Sequence, residues 1–85
     1  MDLSLHFGAA VRQHRTLIRL SQEDLAERAG LDRTYVSGIE RGTRNPSLRI
    51  IQSVANALGA DLDVLFATAR EIARKSADTS HGQNI

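Results

Sequence analysis

The chain has 85 residues and contains no cysteine, no tryptophan and one proline. Without cysteine, neither disulfides nor a thiolate metal site can stabilise so short a chain. Because Phe7, Tyr35 and Phe66 are its only aromatic residues, we expect a core of aliphatic side chains. A domain of this size lies near the lower limit for folding unaided, so pairing with a second copy is a further expected source of stability.

No apolar run approaches the ~18 residues that a transmembrane helix needs, and the N-terminus has no basic segment followed by an apolar one. We therefore expect no membrane partner, no secretory signal and a reducing, cytoplasmic location. The sequence offers no nucleophile–base arrangement, phosphate-binding glycine loop or metal-ligand cluster, and His6 and His14 lack the i, i+4 spacing of a helical metal site. These absences argue against an enzyme and predict no metal, cofactor or small-molecule ligand.

The net charge is only +1, but the basic residues are unevenly distributed. Between positions 33 and 50 the single acid Glu40 is accompanied by four arginines, namely Arg33, Arg41, Arg44 and Arg49. A local basic patch of this kind is what phosphate binding requires. The distribution of charge by itself is explained at least as well by an arginine-rich helix face that is simply exposed to solvent.

Hydrophobic periodicity predicts five helices and no strands, and therefore an all-α fold. Ser21, Asp32 and Asp61 are the predicted N-caps of helices two, three and five, and helix four is capped by either Asn45 or Ser47. Gly30 fits the left-handed position that ends helix two, and helices three and four are expected to end at Gly42 and Gly59. The predicted helices cover about residues 4–18, 21–29, 32–41, 47–58 and 61–75.

The chain reads as one domain over residues 1–75, followed by a polar, aperiodic stretch at 76–85 that we expect to be a flexible tail. The apolar stripe of helix five extends further than a minimal domain needs. We therefore hypothesise a homodimer whose interface uses one face of helices four and five. Its predicted residues are Ile50, Val54, Leu62, Leu65, Phe66, Ala69 and Ile72.

Residues 21–48 have the layout of a helix-turn-helix, two short amphipathic helices joined by a tight turn and followed by an arginine-bearing loop. In helix three, Val36 and Ile39 define the inward face at ~100° per residue. Gly38 is costly in a helix interior, by ~1 kcal/mol relative to alanine, which indicates that a DNA groove or a neighbouring helix approaches the backbone there. The predicted outward face holds Thr34, Ser37, Gly38 and Arg41, with Arg33 and Tyr35 on its flanks.

Four short motifs resemble the Cro/repressor-type, lambda-repressor-like helix-turn-helix family: LSQEDLA at 20–26, the Gly30-Leu31 turn, IERG at 39–42 and NPSL at 45–48. The likeness covers about residues 5–70, and the motifs agree in order and spacing. It implies a compact five-helix domain that binds DNA. Restriction–modification controller proteins resemble this layout closely, with a similar helix three and ERG-x-RN loop. The family often has glycine where helix one ends; Arg19 stands there, so we expect a left-handed arginine.

The resemblance implies specific roles. Gln22 would bind a phosphate and brace the recognition helix, although it could also be a simple helix former. Arg33 would read guanine through its bidentate fork or contact only phosphate. Tyr35 would bind a phosphate or pack on the flank of the domain. Base edges would be contacted by Arg33, Thr34, Ser37 and Gly38, and the DNA backbone by Arg41, Thr43, Arg44 and Asn45. The alternative for Arg44 is that it enters a groove.

Arg15 would pair with Glu40 and hold helix one against helix three, or the two would form an exposed pair worth under ~1 kcal/mol. These roles together imply a transcription regulator that binds a palindromic operator as a homodimer and regulates its own gene, with RNA polymerase as a further candidate partner. The alternative is an antitoxin-type protein that binds a partner protein as well as operator DNA.

Overall fold

The computed structural model describes residues 3–83, with side chains described as far as residue 77. It contains five α-helices and no strand within that part of the chain, which confirms the predicted all-α fold. The helices are α1 (Leu3–Leu17), α2 (Gln22–Ala29), α3 (Arg33–Arg41), α4 (Leu48–Leu58) and α5 (Leu62–Gln83).

Local signals in the sequence set most helix ends. The Ser21 side chain accepts a hydrogen bond from the backbone N–H of Asp24 at 3.0 Å and so caps α2. Ser47 rather than Asn45 caps α4, because its hydroxyl accepts from the backbone N–H of Ile50 at 3.3 Å. Arg19 has a φ of 59°, so the tight connection between α1 and α2 does use a left-handed arginine.

The core lies where α1 packs against α3 and α5 while α2 contacts α3 and α4. As expected, it is almost entirely aliphatic. Phe7 is buried within it, and its ring packs against that of the partly buried Phe66, with 5.6 Å between their centroids. Burying these side chains is the main favourable contribution to folding. The core residues that are essentially inaccessible to solvent are Ala10, Val11, Leu25, Val36, Ile39, Val54, Ala55 and Leu65.

Two predictions about the C-terminal third are wrong. Helix α5 continues to Gln83, so residues 76–83 are helical rather than an irregular tail; residues 84–85 lie outside the described part. Val54, Leu65 and Ala69 are 1%, 0% and 2% exposed, because the core covers them on both sides. These three side chains therefore cannot form a surface for a second copy.

No single helix among the described residues is long and apolar enough to cross a membrane. Helices α4 and α5 meet that composition only as a pair, bent by 97° at their junction.

Candidate nucleic-acid interface

Helices α2 and α3 form the predicted helix-turn-helix. Gly30 ends α2 with a φ of 70°, and its N–H bonds back to the carbonyls of Ala26 and Glu27. Two residues later, Asp32 is extended and starts α3, although its side chain makes no capping hydrogen bond. Because the left-handed glycine reverses the chain within three residues, α3 is presented at a fixed angle to α2. The apolar side chains of both helices anchor the unit in the core.

Helix α3 presents a polar surface to solvent. Arg33, Thr34 and Arg41 are exposed and Ser37 is half-buried. Arg41 donates a hydrogen bond to the Ser37 hydroxyl, and Thr34 donates one to the carboxylate of Asp32. Three of the four residues that sequence analysis assigned to this face, and Arg33 from its flank, are therefore accessible to solvent. The opposite face of the helix is buried through Val36, Ile39 and Glu40.

The loop after α3 folds back over the second half of that helix. Gly42 is left-handed, with a φ of 77°. The backbone N–H and the hydroxyl of Thr43 both donate to the carbonyl oxygen of Gly38, at 2.9 Å and 3.2 Å. The guanidinium carbon of Arg44 then lies 5.3 Å from the centroid of the Tyr35 ring, within the range of a cation–π contact.

The predicted base-facing role of Gly38 is wrong for this structure. Gly38 is buried, and a Cβ atom added to it would lie 2.6 Å from Cγ of Arg44 and 3.3 Å from the Thr43 hydroxyl. The sequence correctly indicated a close approach to the backbone of Gly38. The group that approaches is a loop side chain, which covers the glycine.

A buried ion pair ties the recognition helix to α1. The Arg15 guanidinium donates to both carboxylate oxygens of Glu40, at 2.6 Å and 3.0 Å, and to the Leu20 carbonyl at 2.9 Å. The side chains of Arg15 and Glu40 are 12% and 4% exposed, so the alternative of an exposed surface pair is excluded. The hydrogen bonds that Arg15 donates to the Glu40 carboxylate raise the pKa of Arg15.

Gln22 completes this network from α2. Its side-chain amide donates to an oxygen of Glu40 at 3.0 Å. The Glu40 carboxylate on α3 therefore accepts hydrogen bonds from both Arg15 on α1 and Gln22 on α2. This is the predicted bracing contact. It leaves one N–H of the Gln22 amide for another acceptor, and Gln22 is half-buried at the start of α2.

The network also changes the charge of the surface. Glu40 is the single acid between positions 33 and 50, and it is withdrawn from solvent and neutralised by Arg15. The charged side chains that remain exposed in this segment are all arginines, namely Arg33, Arg41, Arg44 and Arg49. The basic patch that the sequence indicated is therefore more strongly positive toward solvent than its composition suggests. Asn45 is exposed beside it.

Sequence analysis missed Gly8, which controls how closely α1 approaches α3. Gly8 is buried, and a Cβ there would lie 2.0 Å from the Ile39 carbonyl oxygen and 2.9 Å from that of Glu40. Only glycine lets the two backbones meet this closely. Gly8 shares a helix face with Val11 and Arg15, so a glycine at helical spacing on the buried stripe was the available signal.

The described residues contain no group of three or more histidine, aspartate or glutamate side chains placed to hold a metal ion. His6 and His14 are half-buried rather than on the open surface, and His14 is hydrogen-bonded to Thr68 at 2.9 Å.

A family model described as helix-turn-helix matches residues 11–65. The chain belongs to the helix-turn-helix family. Its members are DNA-binding transcription regulators, not a class of enzymes.

Restriction–modification controller proteins are among its relatives, which confirms the resemblance seen in the sequence. Control protein C.BamHI of Bacillus amyloliquefaciens is 51% identical over 59 residues, which are 68% of this chain and 73% of that protein. The structure of C.AhdI from Aeromonas hydrophila matches with a TM-score of 0.72 and 50% identity, over 75% of this chain and 96% of that one. The chain spans 44% of two helix-turn-helix regulators of Mycobacterium tuberculosis.

A second controller protein, C.Esp1396I, matches with a TM-score of 0.80 and 32% identity, over 86% of this chain and 95% of that one. The matching structures include variants of C.Esp1396I in which an arginine, a threonine or a tyrosine is replaced, at three consecutive positions.

Proposed function

We propose that this regulator is of the controller type: it binds a palindromic operator as a homodimer and regulates transcription of its own gene. The observation that supports this most directly is the surface of α3 and the following loop. Its exposed charges are arginines, and its one acid is neutralised inside the domain. Such a surface favours the phosphate backbone, while the helix presents polar side chains of a size that fits the major groove.

Within this proposal, α3 lies in the major groove and Arg33 contacts a guanine. Arg33 and Thr34 stand exposed at the N-terminal end of α3, the end from which helix-turn-helix proteins contact base edges. Positions 33–35 are also the one place in the chain where arginine, threonine and tyrosine are consecutive. In C.Esp1396I, an arginine, a threonine and a tyrosine at consecutive positions have each been replaced, which supports choosing positions 33–35 of this chain for substitution.

Backbone contacts come from both sides of the groove in this arrangement. Gln22 at the start of α2 has an amide N–H to donate to a phosphate, and the positive end of the α2 dipole adds to the attraction. Arg41, Thr43, Arg44 and Asn45 in and around the loop contact the neighbouring strand. These contacts fix the register of α3 on the duplex without reading sequence.

The proposed dimer uses the apolar surface that the core leaves uncovered. Four residues of the predicted interface remain partly exposed, namely Ile50, Leu62, Phe66 and Ile72. Leu48 is 80% and Leu3 54% exposed, and both line a concavity of about 150 Å³ that Phe66 and Ile51 also line. An apolar surface of this kind is typical of an interface. Two copies on a two-fold axis would place their α3 helices about one DNA turn apart, ~34 Å.

The dimer is tested by Leu48→Gln, with Leu17→Gln as the matched control. Leu17 is 71% exposed but does not line this concavity, so both substitutions change an exposed leucine without disturbing the core. Sedimentation velocity at tens of micromolar should show a dimer for the wild type and for Leu17→Gln, and dissociation for Leu48→Gln. A monomeric wild type would contradict the proposed dimer.

DNA recognition is tested by fluorescence anisotropy on the DNA upstream of the protein's own gene, against a scrambled duplex, at two salt concentrations. We expect sequence-dependent binding that weakens with salt, at two protomers per site. Arg33→Ala should flatten the discrimination between operator variants, while Arg44→Ala should weaken all sequences evenly. If both variants lose affinity uniformly for all sequences, the base-reading role of Arg33 is wrong. If the wild type binds both duplexes equally, the proposal of a specific operator upstream of its own gene is wrong.

A further inference from the structure

The side chain of Arg44 lies directly across the backbone of Gly38. A Cβ atom at position 38 would be 2.6 Å from Arg44 Cγ and 3.3 Å from Arg44 Nε. A separation of 2.6 Å is far inside van der Waals contact between two carbon atoms. Any side chain at position 38 would therefore displace the stem of Arg44 from its present path.

Tyr35 holds the other end of Arg44. Tyr35 and Gly38 are three residues apart on α3 and so share a face. The Arg44 guanidinium is 5.3 Å from the Tyr35 ring centroid. Thr43, which precedes Arg44, is fixed by two hydrogen bonds to the Gly38 carbonyl. Together, the loop at Thr43, the missing side chain of Gly38 and the ring of Tyr35 hold the exposed side chain of Arg44 in one position.

We propose that Gly38 is a positioning residue for Arg44: its missing side chain lets Arg44 cross α3 and lie against Tyr35 before DNA arrives. A long arginine side chain loses conformational entropy when it is immobilised, so ordering it in the free protein lowers the cost of binding. The ordering is a property of the protein alone. Its consequence for DNA affinity rests on the proposed function, in which Arg44 contacts the DNA backbone.

The competing explanation is that Gly38 is small because DNA approaches it. The structure argues against this, because Gly38 is buried beneath Thr43 and Arg44. DNA could reach the glycine only after the loop had moved. The two explanations differ in whether substitutions at positions 38 and 44 act independently.

The first experiment is NMR spectroscopy of the free protein. Tyr35 is the only tyrosine and there is no tryptophan, so the ring is easily identified. In the wild type, the aliphatic protons of Arg44 should be shifted upfield by the ring, and Arg44 Nε should be more ordered than that of Arg49, an exposed arginine. Gly38→Ala and Tyr35→Leu should each remove both effects. Equal mobility of Arg44 and Arg49 in the wild type would overturn the proposal.

Gly38→Ala should not lower the thermal midpoint, because alanine is the better helix former and the displaced Arg44 is exposed. A merely structural glycine would show the opposite, with a lower midpoint and unchanged Arg44 shifts. Tyr35→Leu leaves position 38 untouched, so the test of ordering does not depend on Gly38→Ala folding.

The second experiment is a double-mutant cycle on operator DNA. Gly38→Ala and Arg44→Ala should each weaken binding about tenfold, equivalent to ~1.4 kcal/mol, and the double variant should bind no more weakly than Arg44→Ala. Additive losses would mean that Gly38 contacts DNA itself, and would overturn the proposal. If Arg44→Ala binds like the wild type, the proposed DNA contact of Arg44 is wrong, while the NMR result still decides the ordering.

Discussion

Removing the charge of Arg15 should strongly destabilise the domain. Arg15→Met keeps the aliphatic stem but deletes all three hydrogen bonds that the guanidinium makes to Glu40 and Leu20. The Glu40 carboxylate, 4% exposed, then keeps only its bond from Gln22. An uncompensated buried charge typically costs 3–5 kcal/mol. We expect about 3 kcal/mol, since Arg15 itself retains 12% exposure.

That loss is large for so small a domain. At about 0.05–0.15 kcal/mol per residue, the whole fold is worth about 4–13 kcal/mol. Urea unfolding followed by circular dichroism should show a midpoint about 3 M lower, for a slope of about 1 kcal/mol per molar. All variants must be compared at equal protein concentration, because dimerisation stabilises the folded state by mass action.

The control is the double variant Arg15→Met with Glu40→Leu. Replacing both partners of a buried pair by apolar residues is often neutral, so the double variant should recover most of the lost stability. If the double variant is as unstable as Arg15→Met alone, burial of an unpaired carboxylate is not the cause and the reasoning is refuted.

The pH dependence follows from the raised pKa of Arg15. A raised folded-state pKa contributes stability that is fully present below the unfolded pKa and is lost only as the pH rises through the folded one. For an arginine both lie in strong alkali. The contribution of Arg15 should therefore be constant between about pH 6 and pH 9, and a loss of the Arg15→Met effect within that window would contradict it.

Four other stability changes can be measured in the same urea assay. Gly8→Ala should cost at least about 1–3 kcal/mol, because its Cβ would overlap the Ile39 carbonyl, a backbone atom that cannot rotate away; a neutral result would mean that α1 moves freely against α3. Arg19→Gly should stabilise by up to ~1 kcal/mol, because it relieves a left-handed arginine. Gly30→Ala is the reverse change and should cost about 1 kcal/mol of stability. Because a Cβ at position 30 meets nothing within 4 Å, this loss would come from the left-handed backbone conformation alone. Ser21→Ala should cost ~1 kcal/mol through loss of the α2 cap, and no change would show that the hydroxyl is not needed.

The helices and most of their ends follow from the amino-acid sequence alone. Serine caps at 21 and 47 and left-handed glycines at 30, 42 and 59 act within one turn of the chain, so the short-range pattern is sufficient to place them. The Arg15–Glu40 pair could also be predicted, because the family resemblance supplied a long-range pairing that helical periodicity cannot show. Helical periodicity supplied the exposed positions of α3, and the resemblance supplied their expected roles in DNA binding.

What covers each helix face can be seen only in the assembled fold. Periodicity shows that Leu65, Phe66 and Ala69 lie on the apolar side of α5, but not that the core encloses Leu65 and Ala69 while Phe66 stays at the edge. Likewise, the cost of glycine at position 38 indicates a close neighbour without naming it. That neighbour is Arg44, whose placement depends on how the loop folds back. Burial is a property of the assembled helices, since each face is covered by residues distant in sequence.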